Sequence, residues 1–529
     1  MRRWLLGVAA LGLVAGMMMP ESADAFERVD GRTVVVFGGR QSFPVLDPHV
    51  RYDWSTRMMQ QAIYDALVKY EGNPAEIKPW LAESWEVSED GKSWTFRLVS
   101  NAKFHNGDPV DAEAVRYSFE RGLKLNKGVA WMLKDFLAPE DIEVVDERTV
   151  RFNLNSPYSA FLSFLPWWYI VNPNEVKAHE VDGDYGQAWL TENAAGSGPF
   201  KIKRWEQNVL YEVEAVADYW KGWPQGEENR PGGVIYRIIR EPAAQKAALL
   251  RGEADIVEGL TPDDYQQLAN QKGITIQDHP GMTTFSIKFN TQRGPTADKN
   301  LRKAIAYALD YDGLVQIYNG AAVLQTSPFP DALEGHISVP NLPRKDLDKA
   351  KEYLAQSAYP NGGLTLEYYH VAGLEEARRI GLLLLDNLAP LNINVELRPE
   401  QWPNMVAKGS DVETSPAMTS VYVTPISTDP DAVAYQYHPN SHGQYFAMSF
   451  YNNPDVTAKI DQARRSSDWS EREKLYAEIQ TQIVEDQPEV FGMMQNRRWA
   501  HRDYLKGFVF SPVRFTGEVD LYPLWIETK

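Results

Sequence analysis

The sequence predicts an α/β protein with mixed sheets, and three observations lead to that fold class. Segments with the two-residue period of half-buried strands recur along the chain. Segments with the period of amphipathic helices lie between them. At residues 364–397 a strand, a helix and another strand follow one another as a βαβ unit. With 529 residues, the chain is expected to hold about three domain-sized units of roughly 150 residues each.

The N-terminal half is predicted to consist mainly of strands. Gly38 and Gly39 follow the first strand, and glycine there lets the backbone turn sharply or approach a ligand closely. Asn106-Gly107-Asp108-Pro109 is a strong turn signal. The predicted elements are a strand at 33–37, a helix from about 55 to 70, and strands at 93–98, near 144 and at 150–154.

The C-terminal half alternates between strands and helices, which favours mixed sheets. Leu301, Ile305 and Leu309 share one face of a predicted helix. The residues Ser470 to Glu473 match a capping box, which predicts a helix that starts there and stops before Pro488. The other predicted elements are strands at 284–290, 364–368 and 393–397 and helices at 299–309 and 374–388.

The first 25 residues have the layout of a secretory signal peptide. Arg2 and Arg3 precede an apolar run at 4–19, and Ala23-Asp24-Ala25 supplies the small residues of a cleavage site after Ala25. The alternative is a membrane anchor, but a spanning helix needs about 20 apolar residues and this run is shorter and contains glycine. We therefore expect an exported protein that is soluble once the signal is removed.

Cysteine content and charge narrow the compartment and the partners. The chain has no cysteine, so it cannot be a lipoprotein, and thiolate metal sites are excluded as well. A freely diffusing exported protein of this kind is expected in the periplasm of a Gram-negative bacterium. The net charge of −18 repels phosphate backbones, which makes nucleic acid an improbable partner. The 16 Trp and 26 Tyr suit a ligand cleft, although a large core would use them too.

Motifs of catalysis and metal binding are weak in this sequence. Residues 195–199 resemble a nucleophile elbow, but the spacing is wrong and Pro199 would disrupt the following helix, so a turn is predicted. His438 and His442 have a metal-like spacing, but proline and glycine around them predict solvated loop histidines. Asp429 and Asp431 flank a proline and are expected to shape a turn or cap a helix. We therefore predict no enzyme activity, no catalytic residues, no metal site and no cofactor.

Two adjoining stretches, 81–98 and 103–115, carry a long signature that begins Leu-Ala-Glu-Ser-Trp-Glu-Val and continues through Phe104-His105-Asn106-Gly107. They resemble the signature of the family 5 extracellular solute-binding proteins, the peptide/nickel group of ABC-importer binding proteins. Later segments are similar to other blocks of that family over nearly the whole mature chain. These segments are 197–200, 218–220, 250–256, 289–310, 429–431 and the helix around 475–476.

The resemblance implies a two-lobed periplasmic-binding-protein fold of type II-like form, with a ligand cleft between the lobes and an extra inserted subdomain. The implied divisions are a first lobe at 26–281 with an insertion at about 49–171, a second lobe at 282–492, and a return to the first lobe at 493–529. The implied function is capture of a peptide or peptide-sized solute and delivery to the transmembrane subunits of an ABC permease. The protein is expected to act as a monomer, and His105, Asn106 and Gly107 are expected to be structural.

The ligand itself is less well determined by the resemblance. Peptide-binding members take an aspartate, which pairs with the peptide amine, from a segment just before the Asp-Pro-Asp block. Here that segment, 422–428, has Ile426 at or near the aspartate position and Val423 at a Trp position. A non-peptide solute such as an opine or an oligosaccharide is therefore an alternative ligand, and a periplasmic enzyme or chaperone-like binder is a more distant alternative.

The candidate ligand-binding residues come from four places in the sequence. Three follow the first strand, and three belong to the segment just described. Two lie at the end of a second-lobe strand, where α/β folds place ligand sites. One is an aromatic residue on which a ligand could stack. Each aromatic among them could equally be a core residue. The candidates are Gly39, Gln41, Phe43, Tyr369, His370, Trp402, Tyr422, Thr424 and Ser427.

Overall fold

A computed structural model describes residues 28–29, 31–51, 54–514 and 518–528. The predicted signal peptide at 1–25 lies outside these residues. In the described ranges, no helix combines the length and the apolar composition needed to cross a bilayer.

Twenty strands are assigned within the described ranges. They are β1 (Arg28–Val29), β2 (Arg32–Gly39), β3 (Val68–Glu71), β4 (Glu76–Pro79), β5 (Ala82–Val87), β6 (Ser93–Leu98), β7 (Ile142–Asp146), β8 (Thr149–Asn153), β9 (Phe200–Glu206), β10 (Leu210–Ala215), β11 (Gly233–Ile238), β12 (Ile256–Val257), β13 (Ile274–Phe289), β14 (Ala322–Leu324), β15 (Leu364–Val371), β16 (Ile393–Glu400), β17 (Met418–Val423), β18 (Glu489–Arg502), β19 (Leu505–Lys506) and β20 (Trp525–Ile526).

Fifteen α-helices are assigned in the same ranges. They are α1 (Trp54–Ile63), α2 (Ala112–Leu125), α3 (Phe161–Phe164), α4 (Pro173–Ala178), α5 (Gln187–Leu190), α6 (Pro242–Arg251), α7 (Pro262–Leu268), α8 (Lys299–Ala308), α9 (Tyr311–Gln316), α10 (Leu347–Ala355), α11 (Glu375–Leu388), α12 (Trp402–Gly409), α13 (Asp431–Ala434), α14 (Pro454–Arg465) and α15 (Trp469–Asp486).

Most strands belong to one long mixed sheet of order β16-β15-β17-β13-β18-β12-β2-β11-β10-β9. Its centre is the antiparallel pair β13 and β18, and each of these strands runs through both halves of the sheet. Their pairing becomes irregular between His279 and Thr283, at the middle of the sheet. The two halves are therefore joined by two continuous strands that carry an irregularity where the halves meet.

Each half of the sheet contains a parallel portion. In the first half, β2 pairs in parallel with both β11 and β12. Its residues Val34 to Phe37 are buried, as expected for a strand covered on both faces. In the second half, β15 pairs in parallel with β16 and β17, and α11 connects β15 to β16. This arrangement confirms the predicted βαβ unit and the α/β class with mixed sheets.

The signature stretch at 81–98 forms two strands of a separate small sheet, which β7 and β8 complete. Four strands in the order β5-β6-β8-β7 are antiparallel to their neighbours. Phe96, Phe119 and Phe152 lie in the hydrophobic core beneath this sheet. His105 accordingly has a structural position, because its Nε2 lies 3.0 Å from the carbonyl oxygen of Gly198. Gly107 adopts a φ of 96° in the predicted turn, a value that favours glycine.

Two predicted helix boundaries are wrong. The helix expected at 55–70 ends at Ile63, because the chain turns and residues 68–71 pair as β3 with β4. Val68 and Tyr70 are buried while Glu71 is exposed, so this segment has the period of a strand. The expected capping box at Ser470 is also wrong, because α15 begins one residue earlier and the side chain of Asp468 accepts the N–H of Ser470.

Candidate functional site

The region between the two halves of the sheet is the candidate site, because the parallel strands of both halves end beside it. β2 and β12 end at Gly39 and Val257 on one side, and β17 ends at Val423 on the other. Ligand sites of α/β folds lie beyond the carboxyl ends of parallel strands. The two halves also approach each other directly, since Asn319 of the second half donates to the Asp263 carboxylate at 3.3 Å.

The segment that follows β17 lines this region on the second-half side. The Tyr422 hydroxyl lies 2.5 Å from the Tyr318 hydroxyl, and burial raises the pKa of Tyr422 well above its ordinary value. The Thr424 hydroxyl lies 2.8 Å from the hydroxyl of Thr283 on β13. Ser427 is fully buried, and its Oγ accepts the N–H of Asp429 at 2.9 Å. These three predicted site residues are therefore held together on one segment.

Residues from the other side of the molecule close over this segment. The Trp167 indole donates to the carbonyl oxygen of Ile426 at 2.6 Å. The Tyr70 hydroxyl donates to the Ser163 carbonyl oxygen at 2.8 Å and lies 3.4 Å from Ser427 Oγ. The apolar side chain of Ile426 is buried with this aromatic cluster. The position of Ile426 therefore presents an apolar side chain, and only its backbone makes a polar contact with the opposing residues.

A small cavity lies next to Trp167. Its volume is about 30 Å³, enough for one or two water molecules and much less than a dipeptide needs. The Arg57 guanidinium lies 3.3 Å above the Trp167 ring, and its Nη1 is buried with no acceptor in the described part of the chain. The polar part of its lining includes Arg57, Gln61, Asp65, Lys69 and Arg514, and the rest is mostly apolar and aromatic.

The floor of this cavity holds a buried carboxylate with neutral partners. Asp65 accepts hydrogen bonds from Trp80, Tyr219, Trp220 and Ser197 at 2.7, 2.8, 2.9 and 3.0 Å. Burial raises the pKa of Asp65 above its ordinary value, and the four donors offset part of that rise. A carboxylate with four donors is an organised structural element rather than a free acid.

Two charged residues that the sequence did not single out lie at the carboxyl ends of β2 and β12, in the first half of the sheet. Arg40 directly follows β2, and its backbone N–H donates to Glu258 Oε1 at 2.8 Å. The Tyr236 hydroxyl donates to the same oxygen at 3.1 Å. The Arg40 side chain makes no ion pair or hydrogen bond with any described residue, and its Nε is buried. A charged residue between Gly39 and Gln41, just past a buried strand, was the available signal in the sequence.

The three predicted site residues after β2 have different surroundings. Gly39 lies under the Tyr236 ring, whose nearest atom would be 1.8 Å from a Cβ at this position, so only glycine fits. Gln41 is half-buried beyond it. Phe43 is almost fully buried, with its ring centroid 4.5 Å from that of Tyr211 and 4.6 Å from that of Tyr236. The packing around Phe43 is that of a core residue.

Of the remaining predicted residues, Tyr369 and His370 are the last two residues of β15 before its end at Val371, and Trp402 follows the end of β16. Tyr369 is half-buried, and the Lys408 ammonium lies 5.6 Å from the centroid of its ring. His370 is buried, and burial lowers its pKa below the ordinary value. Trp402 begins α12 and packs edge-on against Tyr445, with centroids 5.6 Å apart. Tyr369 pairs with Thr419 of β17, so β15 lies beside the strand that leads into the segment at 424–427.

The histidine and aspartate motifs have structural surroundings. His438 is buried rather than solvated, which corrects the prediction, and its Nδ1 accepts the N–H of Asn440 at 3.0 Å. Asp429 accepts the N–H of Asp431 at 2.9 Å, as expected of a turn. Within the residues that the structure describes, no three histidine, aspartate or glutamate side chains lie close enough together to hold a metal ion.

Asp431 also makes a contact that the sequence did not indicate. It is fully buried and accepts from the Tyr158 hydroxyl at 2.9 Å and from Arg464 Nε at 3.2 Å. Arg464 lies 4.3 Å from the centroid of the Tyr435 ring. Tyr435 stacks on Trp131 with centroids 5.6 Å apart. An ion pair within an aromatic cluster therefore joins the segment after β17 to the subdomain that contains the signature.

Comparison with known proteins agrees with this architecture. Residues 76–445 match the model of the bacterial extracellular solute-binding proteins, family 5. The Escherichia coli K12 protein named "Probable D,D-dipeptide-binding periplasmic protein DdpA" is 30% identical over 91% of this chain and 92% of its own length.

Two solved structures carry different ligands. The Helicobacter pylori periplasmic binding protein DppA, in complex with the peptide STSA, is 25% identical, with a TM-score of 0.83 over 94% of this chain and 98% of its own. The binding protein AgaA of A. tumefaciens R10, in complex with agropinic acid, is 26% identical, with a TM-score of 0.82 over 94% of this chain and 99% of its own. By the match to the family model and the identity to its relatives, this chain belongs to the family 5 bacterial extracellular solute-binding proteins.

Proposed function

We propose that this protein is the periplasmic substrate-binding component of an ABC importer, which captures a peptide or a peptide-sized solute between its two lobes and delivers it to a membrane permease. The observation that carries the proposal is the likeness to a peptide-bound binding protein over 94% of the chain. The names of the relatives supply the periplasmic location and the peptide class of ligand. Each relative compared above is named as a binding protein, which supports a role without catalysis.

The division into lobes belongs to the same proposal. We place the lobes at 26–281 with 493–529, and at 282–492, with the insertion at about 49–171. The irregular pairing between His279 and Thr283 supports a hinge in β13. Flexing there would separate Tyr70 and Trp167 from the segment at 426–428 and admit a solute between the lobes. Hinge closure of this kind is a common mode of ligand capture.

A non-peptide solute is the second candidate ligand for the same role. Ile426 presents an apolar side chain where peptide-binding members have an aspartate, and its carbonyl is occupied by Trp167. The similarity to the binding protein in complex with agropinic acid, 26% identity with a TM-score of 0.82, is close to the similarity to the peptide-bound one, 25% identity with a TM-score of 0.83. The ligand class therefore has to come from binding measurements.

A thermal-shift screen tests the proposed function. Di- to pentapeptides, opines and oligosaccharides are each added to the purified protein, and a bound solute stabilises it by RT ln(1 + [L]/Kd), about 2.7 kcal/mol at 100 Kd. A peptide hit supports the full proposal. A hit by an opine or an oligosaccharide alone rejects the peptide ligand and keeps the transport role. Turnover of a bound solute, or indiscriminate binding of denatured proteins, would replace transport with an enzyme or a chaperone.

Tyr422 tests whether the segment after β17 contacts the solute. We expect Tyr422→Ala to weaken binding of the strongest hit of the screen by 10-fold or more, since aromatic side chains supply much of the contact area in such sites. Isothermal titration calorimetry measures the change. Tyr359→Ala removes a half-buried tyrosine from the second lobe, outside the segment at 422–428, and serves as the control. Equal affinity of the two variants would show that the site lies elsewhere.

A further inference from the structure

Two oppositely charged side chains at the first-lobe edge are adjacent but not paired with each other. Arg40 and Glu258 meet through the backbone N–H of Arg40, and no ion pair forms between their side chains. Both hydrogen bonds to Glu258 reach Oε1, and Oε2 accepts none from the described residues. Partly buried charges of opposite sign that form no ion pair with each other are available to the charges of a ligand.

Gly259 makes room for the Arg40 side chain. A Cβ at Gly259 would lie 2.5 Å from Cδ and 2.6 Å from Cγ of Arg40. The Arg40 stem therefore runs across this glycine, and its guanidinium forms no ion pair with the Glu258 carboxylate. Any larger residue at position 259 would displace the stem, so the local sequence is matched to this course of the side chain.

The Arg40 charge acts on tyrosines of both lobes. Burial raises the pKa of Tyr265 on α7, and the Arg40 charge is the next largest influence and lowers it. The same charge acts in the same direction on Tyr422 of the second lobe, although burial dominates there. Arg40 and Glu258 are both half-buried, so each keeps part of its surface accessible to solvent.

We infer that Arg40 and Glu258 form a complementary charge pair that recognises a zwitterionic solute, Arg40 binding a carboxylate and Glu258 binding an ammonium group. The inference rests on the proposed function and names the chemical class of the solute. It also gives the amine of the solute a carboxylate partner in the first lobe. The second-lobe segment has Ile426 at or near the position of the amine-binding aspartate. The forked guanidinium suits a carboxylate, and a carboxylate with a free oxygen suits an ammonium group.

Alanine peptides of two to five residues are the probes for this inference. Each is offered with free termini, as its N-acetyl form and as its C-terminal amide, and affinities are measured by calorimetry. We expect the wild type to prefer free termini by about 30-fold or more, since truncating one member of a desolvated charge pair costs this much or more. Arg40→Gln should lose only the preference for the free carboxylate, and Glu258→Gln only the preference for the free amine.

The variants and controls separate recognition from folding. Glu258→Gln retains an oxygen that can accept from Arg40 and Tyr236, so the local structure is expected to persist. Arg251→Gln and Glu253→Gln remove the same charges from an exposed pair of the first lobe and should change neither preference. Circular dichroism and thermal melting verify that every variant is folded before binding is compared.

Three results would overturn the inference. Retention of both preferences in the Arg40 and Glu258 variants would show that other groups recognise the termini. Binding of an uncharged oligosaccharide, with no alanine peptide bound, would reject the zwitterionic class and leave the solute-binding function intact. Failure of every peptide, opine and oligosaccharide to bind the wild type would reject the proposed function as well.

Discussion

The interface around Asp431 and the edge around Arg40 handle charge in opposite ways. Asp431 is fully buried, yet it accepts from both Tyr158 and Arg464, and the guanidinium of Arg464 is enclosed by aromatic rings. Arg40 has a buried Nε without an acceptor among the described residues. The difference lies in ion pairing. Asp431 meets its counter-charge Arg464 within the chain, although Asp431 Oδ1 and Arg464 Nη2 are also buried without a hydrogen-bond partner among the described residues, whereas Arg40 is left available to a ligand.

Among the tests of this comparison, removing the Asp431 carboxylate is expected to lower the stability most. Asp431→Ala leaves Arg464 buried without its main partner, and breaking a buried pair in this way costs about 3–5 kcal/mol. Urea unfolding at pH 7 should show that loss. Glu253→Ala, which breaks the exposed pair with Arg251, is the matched control and should change stability by less than about 1 kcal/mol. A loss for Asp431→Ala no larger than that of the control would refute the view that this interface is a structural pair.

A second paired region makes stability depend on pH. His49 is buried, with Nε2 2.9 Å from the Tyr169 carbonyl oxygen and Nδ1 3.0 Å from Arg121 Nη1. Burial, followed by the Arg121 charge, lowers the pKa of His49 from 6.5 to about 4. The unfolded chain therefore binds a proton that the folded chain does not bind between these pH values.

The proton on His49 in the unfolded chain lowers the free energy of unfolding at acid pH. Stability should fall as pH decreases from about 6.5 to 4, and His49 should contribute up to about 1.4 kcal/mol per pH unit. Urea midpoints measured at half-unit pH steps provide the curve. In His49→Gln the amide can still donate to Tyr169 and accept from Arg121. Because the amide does not titrate, the free energy of unfolding should fall less steeply with decreasing pH. An unchanged slope would place the acid sensitivity in other groups.

The smallest expected effect concerns the stability of the unliganded Arg40 variant. Because the Arg40 side chain has no protein partner to lose among the described residues, Arg40→Gln should change the free energy of unfolding by less than about 1 kcal/mol. The same urea experiment measures it beside Asp431→Ala. A loss above about 2 kcal/mol would mean that Arg40 supports the fold, and the contrast between the two regions would disappear.

The sequence predicted those elements whose apolar residues follow the period of their own strand or helix, or form one short apolar run. The strand at 33–37, the strand at 93–98 and the βαβ unit at 364–397 are all confirmed. The helix at 55–70 failed because residues 68–71 become a strand only by pairing with β4, a partner that local periodicity does not reveal. The capping box at Ser470 failed because Asp468 also caps helices and lies two residues earlier.

The candidate site was predicted less completely than the fold. Tyr422, Thr424 and Ser427 share one short segment, so their proximity followed from the sequence. Phe43 and Trp402 were chosen as aromatic walls, yet an aromatic residue in a core and one in a cleft have the same sequence signature. Arg40 and Glu258 are 218 residues apart, so no local pattern relates them.

The family, the α/β class and the apolar character of position 426 were determined by the sequence alone, because they depend on residue identity and short-range order. The tertiary structure decided which charges are paired. Asp431 meets Arg464 and Tyr158, and the Arg40 side chain meets no described partner, only because distant segments are brought together or held apart by the fold. Pairing of charges depends on distances in space, and those distances are fixed only when strands such as β2, β12 and β17 are assembled.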